Sequence, residues 1–485
     1  MNDKIIFRIA YSSLKKDSKD INFNLNKKNN QDYSYSLFIN KEGTTYNIIN
    51  FVKKQLLSSL DIFNNKKAYI IFEDISEHHI KTIYKYTNIY ELHYYFYSTS
   101  KVEICFPQIS KEKYNDVTQQ TINESLVKSL LSKQSYYKQL GQYLHKYNDI
   151  VDDKASELNP EIYEKYIVNL CKEESPKANI EIIMCDEKSK FTAINAVGRG
   201  SHITPRLVFI KINGNNTDKY NVGFVGKGVT YDTGGLGLKP AEYMDTMHID
   251  MGGSALALFS GLLYSKQNPT HNVIISLPIV ENCVSGNSYK NGDTISTYKN
   301  KNIIVKHTDA EGRVILSDAL EYTLENNVKN IFVMCTLTGA AKVVVSKDYC
   351  VMVSNNQKIN KLAYQVAQET GEKVHILPND YGFLSAILVK HRAKTYVRNT
   401  GKSYGGSCIT AAMFIMYFAI TNFLTDKDDV HQESKVRKAF FDNDVINYIH
   451  MDIANYFDSD ICSDENDSSL NLLEYSIKLA QSLNE

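Results

Sequence analysis

Apolar runs and helical periodicity alternate through the second part of the chain and predict its elements. Short apolar runs predict strands at 207–212, 222–226, 273–277 and 331–335. Three-and-four spacing of apolar residues predicts helices at about 252–265, 314–326, 357–369 and 409–424. This alternation is typical of a mixed, mostly parallel sheet flanked by helices. In such sheets the chemistry lies on the loops that leave the strand ends.

The first part of the chain has a different pattern. Short β-like runs at 5–9, 68–72 and 102–106 alternate with polar stretches and predict a small α/β domain. Leucines between about 122 and 148 predict a connecting helix, and the segment from Ser156 to Pro160 reads as a break. We therefore expect two α/β domains, at residues 1–155 and 156–485.

Composition narrows the function classes. Lys plus Arg and Asp plus Glu are equal at 55 each, so no net field attracts nucleic acid or anionic lipid. The tyrosines between Tyr84 and Tyr97 could stack on bases. No glycine-flanked basic pattern accompanies them, so a half-buried face or a subunit contact is favoured. The segment 409–424 is too short and too polar to span a bilayer and predicts a buried helix.

The cysteines indicate a reducing compartment. The eight cysteines are scattered and form no CxxC pair, so we expect buried free thiols rather than disulfides or a zinc knuckle. The N-terminal residues lack the apolar core of a secretory signal. We expect a cytoplasmic protein with no membrane contact.

The segment His307–Arg313 is the first candidate for chemistry. Asp309 and Glu311 stand two positions apart and could face one cavity, with Arg313 just beyond. Carboxylates this close repel each other unless a cation or a proton lies between them. The alternative is a solvated acidic turn before a helix that begins near Val314.

Two upstream segments carry complementary groups. A glycine-rich loop at 225–240 contains Lys227, Asp232 and Lys239, and Asp250 stands just before a helix start at Gly252. The loop lacks the P-loop and GxGxxG spacings, which argues against nucleotide binding. Taken alone, Asp250 would be read as an acid near a helix N-terminus.

Together these segments supply four carboxylates and three basic groups. Oxygen-rich sites with a nitrogen ligand suit divalent ions such as Mn²⁺ or Zn²⁺. Four carboxylates exceed what one dication needs for charge balance, which favours a two-metal site. The zinc signature HExxH is absent from the sequence.

These residues resemble those of a known family. Over about residues 190–455 the chain is similar to the M17 leucine aminopeptidases, the cytosol aminopeptidases, and within them to the bacterial peptidase B group. The motifs that carry the resemblance occur in the family's order and are Val197–Ser201, the loop 225–240, Met244–Gly253, Val284–Asn287, His307–Arg313, Thr336–Ala340 and Gly405–Ala412.

The resemblance implies a role for each metal-binding residue. One ion would be held by Lys227, Asp232, Asp250 and Glu311, and the other by Asp232, Asp309 and Glu311. Lys227 can bind a metal only as the neutral amine, and a neighbouring dication in a desolvated site would lower its pKa.

The resemblance also implies the catalytic groups. Protonated Lys239 would stabilise the oxyanion. Arg313 cannot serve as a base, so a bicarbonate bound to it would shuttle the proton. A hydroxide bridging two metals would attack, and one metal would take the free α-amine of a peptide substrate. The substrate pocket would include Met247, Thr336, Gly339 and the backbone carbonyl of Leu337.

The chain departs from the family pattern at four positions, and none of them is an implied metal ligand. His307 replaces the usual asparagine, Thr233 a serine, Tyr231 a phenylalanine and Cys335 an alanine. His307 is the departure with the least predictable effect, because imidazole is bulkier than an amide and titrates near neutral pH.

The expected function is that of a metal-dependent aminopeptidase that removes the N-terminal residue of peptides. The resemblance implies a homohexamer. The alternatives are a DNA-binding regulatory hexamer with secondary peptidase activity and a catalytically silent scaffold. Balanced charge argues against the first, and the intact ligand set argues against the second.

Overall fold

The computed structural model describes most of residues 124–484. The gaps lie at 215–219, 348, 392–393, 402–405, 425–428, 443–444 and 457–469. Before residue 124 it describes five strands and part of a helix at 81–85, so most of the tyrosine-rich segment lies outside the described residues. The chain divides into two compact units, residues 1–146 and 147–485.

The first unit contains a five-stranded, mostly parallel sheet. Its strands are β1 (Lys4–Tyr11), β2 (Asn24–Lys28), β3 (Asp32–Ile39), β4 (Lys67–Glu73) and β5 (Glu103–Cys105). Their order is β2-β3-β1-β4-β5, and the β2–β3 pair is antiparallel. The three strands predicted here are confirmed.

The second unit is built on a nine-stranded sheet with a smaller four-stranded sheet beside it. The remaining strands are β6 (Asn179–Met184), β7 (Arg206–Ile212), β8 (Val222–Gly226), β9 (Gly228–Asp232), β10 (Val273–Asn282), β11 (Thr294–Ser296), β12 (Asn302–Ile304), β13 (Asn330–Cys335), β14 (Cys350–Ser354), β15 (Val374–Ile376), β16 (Leu388–His391), β17 (Lys394–Arg398) and β18 (Asn447–Asp452). The large sheet has the order β15-β14-β18-β13-β8-β10-β7-β6, with β9 paired to β10. The small sheet has the order β11-β12-β17-β16.

The named helices all begin after residue 123, and several of them pack on the large sheet. They are α1 (Glu124–Asp152), α2 (Pro160–Glu174), α3 (Thr192–Gly198), α4 (Gly252–Gln267), α5 (Glu311–Leu324), α6 (Ala340–Val345), α7 (Gln357–Thr370), α8 (Tyr381–Ile387), α9 (Ser407–Phe423), α10 (Glu433–Val436) and α11 (Leu470–Ser482). The division between the two units falls inside α1. Helix α2 begins where the break was predicted, and the Asn159 side chain caps it by accepting from two backbone N–H groups.

Two helices are buried on all sides because they are apolar on all sides. Residues Gly252–Ser265 of α4 are buried, and Gly261 lets this helix approach β10, because a Cβ there would lie 2.4 Å from Ile275. Residues Cys408–Ile420 of α9 are also buried, which confirms the buried helix predicted at 409–424. None of the helices in the described part of the chain combines the length and apolar character needed to cross a membrane.

Five strands of the large sheet run parallel; β18, β13 and β8 end at about the same level, and β9 continues β8 along the last residues of β10. β18, β13, β8 and β10 pair in parallel across the sheet, and β9 pairs in parallel with β10. β7 and β14 run antiparallel to their neighbours β10 and β18, so the sheet is mixed and mostly parallel, as predicted. The common edge is the place where ligands bind in open sheets of this class.

Within the candidate site, the sequence interpretation differs from the structure at two places. Residues 228–232, expected to belong to a glycine-rich loop, form strand β9, because their backbone pairs with the extended end of β10. The helix expected to begin near Val314 begins at Glu311. The two candidate ligands of this segment therefore lie on a turn and a helix start.

Candidate metal centre

The parallel strands deliver one polar side chain each to the shared edge. Lys227 directly follows β8, Asp232 ends β9 and Asn282 ends β10. Thr336 directly follows β13, and Asp452 ends β18. Because the strands are parallel, residues far apart in sequence converge at this edge.

Lys227 is as deeply buried as the carboxylates Asp232 and Glu311. Its side chain is 3% exposed, and Nζ lies 2.7 Å from Asp250 and 2.9 Å from Glu311 Oε1. Nζ also donates to the backbone carbonyl of Thr336 at 2.7 Å. The amine is thus held between two carboxylates and one carbonyl, at the centre of the predicted ligand set.

Asp250 reaches the cluster from a 3-10 turn, Met247–Met251, that leads into α4. The Thr336 hydroxyl lies 2.9 Å from Asp250 Oδ1 and 3.0 Å from the Asp250 carbonyl. Thr336, predicted to line the substrate pocket, therefore also fixes a predicted metal ligand.

Asp309 and Glu311 reach the cluster from the segment where α5 begins. Asp309 lies on the turn before α5, and Glu311 is the first residue of that helix. Each of these two residues and Asp232 offers a carboxylate oxygen, and the three oxygens lie within 4.8 Å of one another. This convergence is what the spacing of Asp309 and Glu311 predicted.

Lys239 pairs with two carboxylates on the more exposed side of the cluster. Its Nζ lies 2.8 Å from Asp232 Oδ2 and also forms an ion pair with Asp309. The side chain is 15% exposed, against 3% for Lys227. Lys239 therefore remains reachable from solvent, and the deeper lysine does not.

An asparagine missed by the sequence analysis ties two ligand segments together. The Asn282 amide Nδ2 donates to Asp232 Oδ1 at 2.8 Å and to the Thr308 carbonyl at 3.1 Å. The Tyr289 hydroxyl donates to the same carbonyl at 2.5 Å. The only sequence signal was a polar residue at the end of an apolar run.

Two of the four departures from the family pattern make local contacts that the usual residue could also make. The Thr233 hydroxyl donates to the Asn282 carbonyl at 2.7 Å, as a serine could. His307 Nδ1 accepts the Asp309 N–H at 3.1 Å, a bond that an asparagine oxygen could also accept. The His307 ring packs on Gly237, where an added Cβ would lie 2.7 Å from Cε1.

Glycines leave space for the charged groups. A Cβ on Gly312 would lie 2.4 Å from Lys227 Cε. Gly234 and Gly235 have φ of +83° and +62°, which a side chain would strain. This turn carries the chain from Asp232 back to Lys239.

The charges of the cluster do not balance. Burial alone would raise the pKa of Glu311, but the ammonium groups of Lys227 and Lys239 lower it to about 2. Burial, with the carboxylates of Glu311 and Asp232, raises the pKa of Asp309 to about 7. Burial also raises the pKa of Asp250. Like charges at this distance cannot all ionise at low cost, so the cluster calls for added positive charge.

The donor set fits divalent cations. Glu311 Oε2 is buried and has no hydrogen-bond partner among the described residues. The other donors are carboxylate oxygens and one amine, which suit ions that accept oxygen and nitrogen ligands. An orphaned carboxylate oxygen beside Asp232 and Asp309 is the arrangement that a bound dication would satisfy.

Arg313 is buried near Glu311, two residues further along α5. Its guanidinium donates to the Asn399 carbonyl at 2.7 Å, and its buried Nε has no hydrogen-bond partner among the described residues. Burial lowers the pKa of Arg313, although nearby Glu311 opposes the shift. The side chain keeps donor capacity that the described residues do not use.

The predicted pocket residues lie beside these groups. Met247 is half-buried at the start of the 3-10 turn that carries Asp250. Leu337 and Gly339 follow Thr336 on the segment between β13 and α6. Among the described residues, neighbours in the chain aside, no atom lies within 4 Å of a Cβ built on Gly339. This segment therefore leads from the ligand cluster to open space.

The thiols expected to be free are free where the structure describes them. Five are buried and Cys283 is half-buried, the five being Cys171, Cys185, Cys335, Cys350 and Cys408. Cys105 and Cys462 lie outside the residues whose side chains are described.

Comparison with known proteins gives one consistent result. A probable cytosol aminopeptidase of Clostridium perfringens is 36% identical over 279 residues, which cover 56% of this chain and 54% of the relative. One from Rhodopirellula baltica is 35% identical over 297 residues, which cover 60% and 56%. The chain thus spans about half the length of the curated relatives it matches.

A solved structure shows the same fold over a longer stretch. The crystal structure of the cytosol aminopeptidase of Coxiella burnetii superposes with a TM-score of 0.68, covering 93% of this chain and 89% of that one, at 21% identity. The model of the cytosol aminopeptidase family catalytic domain matches residues 146–469. Because that match covers more than half of the chain, the protein belongs to the cytosol aminopeptidase family.

Proposed function

We propose that this chain is a metal-dependent aminopeptidase that hydrolyses the N-terminal residue from peptides. The observation that carries the proposal is the convergence of Asp232, Asp309 and Glu311 within 4.8 Å, with Lys227 and Lys239 on either side. The family's catalytic-domain match supports it.

The chain offers ligands for two ions. One would be held by Lys227, Asp232, Asp250 and Glu311, and the other by Asp232, Asp309 and Glu311. We propose Mn²⁺ or Zn²⁺, because both accept carboxylate oxygen and nitrogen ligands. When bound, the ions supply Lewis acidity and lower the pKa of a coordinated water.

Lys227 must lose a proton to bind a metal. Burial disfavours its charge, but Asp250 and Glu311 raise its pKa above the usual value. Loading therefore couples metal entry to proton release from this amine.

Lys239 remains the cation of the site. Burial opposes its charge, but Asp232 and Glu311 raise its pKa above the usual value. A protonated amine that is partly open to solvent can donate to the scissile carbonyl and stabilise the oxyanion that develops there. Its side chain would turn from Asp309 towards the substrate once cations neutralise the carboxylates.

Arg313 holds its charge and cannot act as a base. Its partnerless Nε supports the binding of a small anion, for which we propose bicarbonate. Arg313 would hold the bicarbonate, which would supply a base for proton transfer that the guanidinium itself cannot supply.

The substrate is a peptide with a free N-terminus. Its α-amine would lie at the cluster, and its first side chain would contact Met247, Thr336 and Gly339. The Leu337 carbonyl would accept from the substrate backbone. The open space at Gly339 supports this placement.

At the level of the whole protein we propose a cytoplasmic homohexamer. The division into an N-terminal α/β domain at 1–155 and a catalytic domain at 156–485 belongs to the same proposal. No observation on the described residues favours the DNA-binding alternative, so it is not proposed.

The test is hydrolysis of leucyl-p-nitroanilide after metal removal and readdition of Mn²⁺ or Zn²⁺. The wild type is expected to cleave this substrate but not its N-acetylated form, which lacks the free amine. Asp309→Ala removes a proposed ligand and should lower the rate at least ~100-fold. This is more than is typically lost when a residue that only orients a ligand is removed. Asp186→Ala, which removes an exposed carboxylate, should have no effect. A wild type that is silent with both metals would overturn the proposal.

A further inference from the structure

One peptide group connects the ligand cluster to a buried carboxylate that the sequence analysis did not select. The carbonyl of Thr336 accepts from Lys227 Nζ at 2.7 Å. The N–H of the same peptide, which belongs to Leu337, donates to Asp452 Oδ1 at 3.0 Å. Asp452 and Lys227 thus hold the two ends of a single rigid peptide plane.

Asp452 is built into this position. The residue is 1% exposed and ends β18, opposite Cys335 at the end of β13. Its Oδ1 also accepts the N–H groups of Ala454 at 3.2 Å and Thr338 at 3.4 Å. Its Oδ2 accepts the Thr338 hydroxyl at 2.7 Å. These bonds lock the segment after β13 against the segment after β18.

The orientation of the Thr336 carbonyl matters for metal binding. A neutral lysine amine has two N–H donors and one lone pair, and the lone pair is what binds a cation. One N–H of the Lys227 amine is directed at the Thr336 carbonyl. The lone pair and the other N–H must then point to the side of the amine that faces Asp250 and Glu311. The carbonyl can do this only if its peptide plane is fixed.

We infer that Asp452 is a positioning residue for Lys227, acting through the Thr336–Leu337 peptide to aim the amine into the metal centre. The inference rests on the proposed function, since it assigns Lys227 as a ligand. It adds a carboxylate from outside the ligand set, and it gives the end of β18 a role in metal affinity. Partners that orient metal ligands typically contribute ~10–100-fold in affinity.

Variants at Asp452 separate hydrogen bonding from charge. Asp452→Asn keeps an acceptor oxygen for the backbone N–H groups and removes the charge. Asp452→Glu keeps the charge and displaces the carboxylate by one methylene. Asp452→Ala removes both the acceptor and the charge.

Asp318 provides a matched control. It is also fully buried and accepts three backbone N–H groups, from Ala193, Ile194 and Tyr298, none of which belongs to the ligand cluster. Asp318→Ala should destabilise the fold to a similar degree. A merely structural effect would therefore appear in both alanine variants.

The experiment is calorimetric titration of the metal-stripped full-length protein with Mn²⁺, alongside thermal unfolding. Asp452→Ala and Asp452→Glu are expected to weaken Mn²⁺ binding at least ~10-fold, while Asp452→Asn stays within about threefold of the wild type. Asp318→Ala should bind Mn²⁺ as the wild type does. If Asp452→Ala does not fold, the Mn²⁺ affinities of Asp452→Asn and Asp452→Glu are compared instead, and only the Glu variant should bind more weakly.

The outcomes separate the two proposals. Wild-type Mn²⁺ affinity in Asp452→Ala, or equal losses in the Asn and Glu variants, would overturn the role of Asp452. An equal loss in Asp318→Ala would also overturn it. Metal binding without leucyl-p-nitroanilide turnover, with Mn²⁺ and with Zn²⁺, would overturn the aminopeptidase proposal and leave the positioning role intact. A wild type that binds neither ion would overturn both.

Discussion

Gly312 leaves the space that the Lys227 side chain occupies. A Cβ at Gly312 would lie 2.4 Å from Cε and 2.9 Å from Nζ of Lys227, closer than real atoms approach. Gly312 directly follows Glu311, so one helix start supplies both a carboxylate and the space for the amine that pairs with it.

Gly312→Ala should therefore displace the Lys227 amine. We expect Mn²⁺ affinity to fall at least ~10-fold, because the amine is a predicted ligand. Calorimetric titration measures the change. The matched control is Gly286→Ala, since a Cβ there meets no atom within 4 Å in the part of the chain that the structure describes, apart from its chain neighbours. Unchanged affinity in the Gly312 variant would show that the lysine adapts.

Metal binding should release protons. Carboxylates raise the pKa of Lys227, although burial opposes them, and burial raises the pKa of Asp309 to about 7. Both groups bind a cation only after losing a proton, so affinity should rise with pH by about tenfold per unit for each proton released. Titrations in buffers of different ionisation enthalpy count the protons. Lys227→Met should release about one proton fewer, and an unchanged count would contradict the assignment of Lys227.

Asn282→Ala should weaken metal binding without touching a ligand. The variant loses the bonds to Asp232 Oδ1 and the Thr308 carbonyl, so both ligand segments become freer. A loss of ~10–100-fold in Mn²⁺ affinity is expected, in the range of other outer-shell partners. Asn287→Ala, at an exposed position nearby, should bind as the wild type does. Equal affinities for both variants would exclude the tethering role.

His450 should make the fold sensitive to acid. Burial, with the charge of Arg313, lowers the pKa of His450 from 6.5 to about 3. The folded protein keeps this ring neutral while the unfolded chain protonates it. The contribution of His450 to the free energy of unfolding is therefore complete above pH 6.5 and is lost as pH falls towards 3. The loss is at most about 1.4 kcal/mol per pH unit.

The measurement is urea unfolding across this pH range. His450→Gln, which is neutral throughout, should show a shallower fall in the free energy of unfolding. Parallel pH profiles for the wild type and the variant would show that this histidine does not contribute.

Local apolar patterns predicted many of the strands and helices. The strands that they missed are defined by pairing with distant parts of the chain. The strands at 207–212, 222–226, 273–277 and 331–335 and the helix at 252–265 are confirmed within a few residues. Strand β9 was missed because glycines dominate 226–237, and its pairing with β10 is not visible locally. Strand β18 was also missed.

The candidate ligands could be selected from the sequence because each carries a charge and stands in a motif that the family resemblance covers. Asn282 and Asp452 were not, because each acts through a contact that exists only after five parallel strands align. Asn282 meets Thr308 across 26 positions, and Asp452 meets Leu337 across 115. The sequence therefore indicates which charged residues are candidates, whereas the residues that orient them can be found only from the fold.

The most direct test of the account is metal stoichiometry measured together with turnover in one sample. The metal-stripped protein is titrated with Mn²⁺, and leucyl-p-nitroanilide hydrolysis is recorded at each step. Two ions per chain are predicted, with turnover rising as the second site fills, and Asp309→Ala should keep one ion and lose turnover. Full turnover in the stripped protein, or saturation without any turnover, would contradict the account.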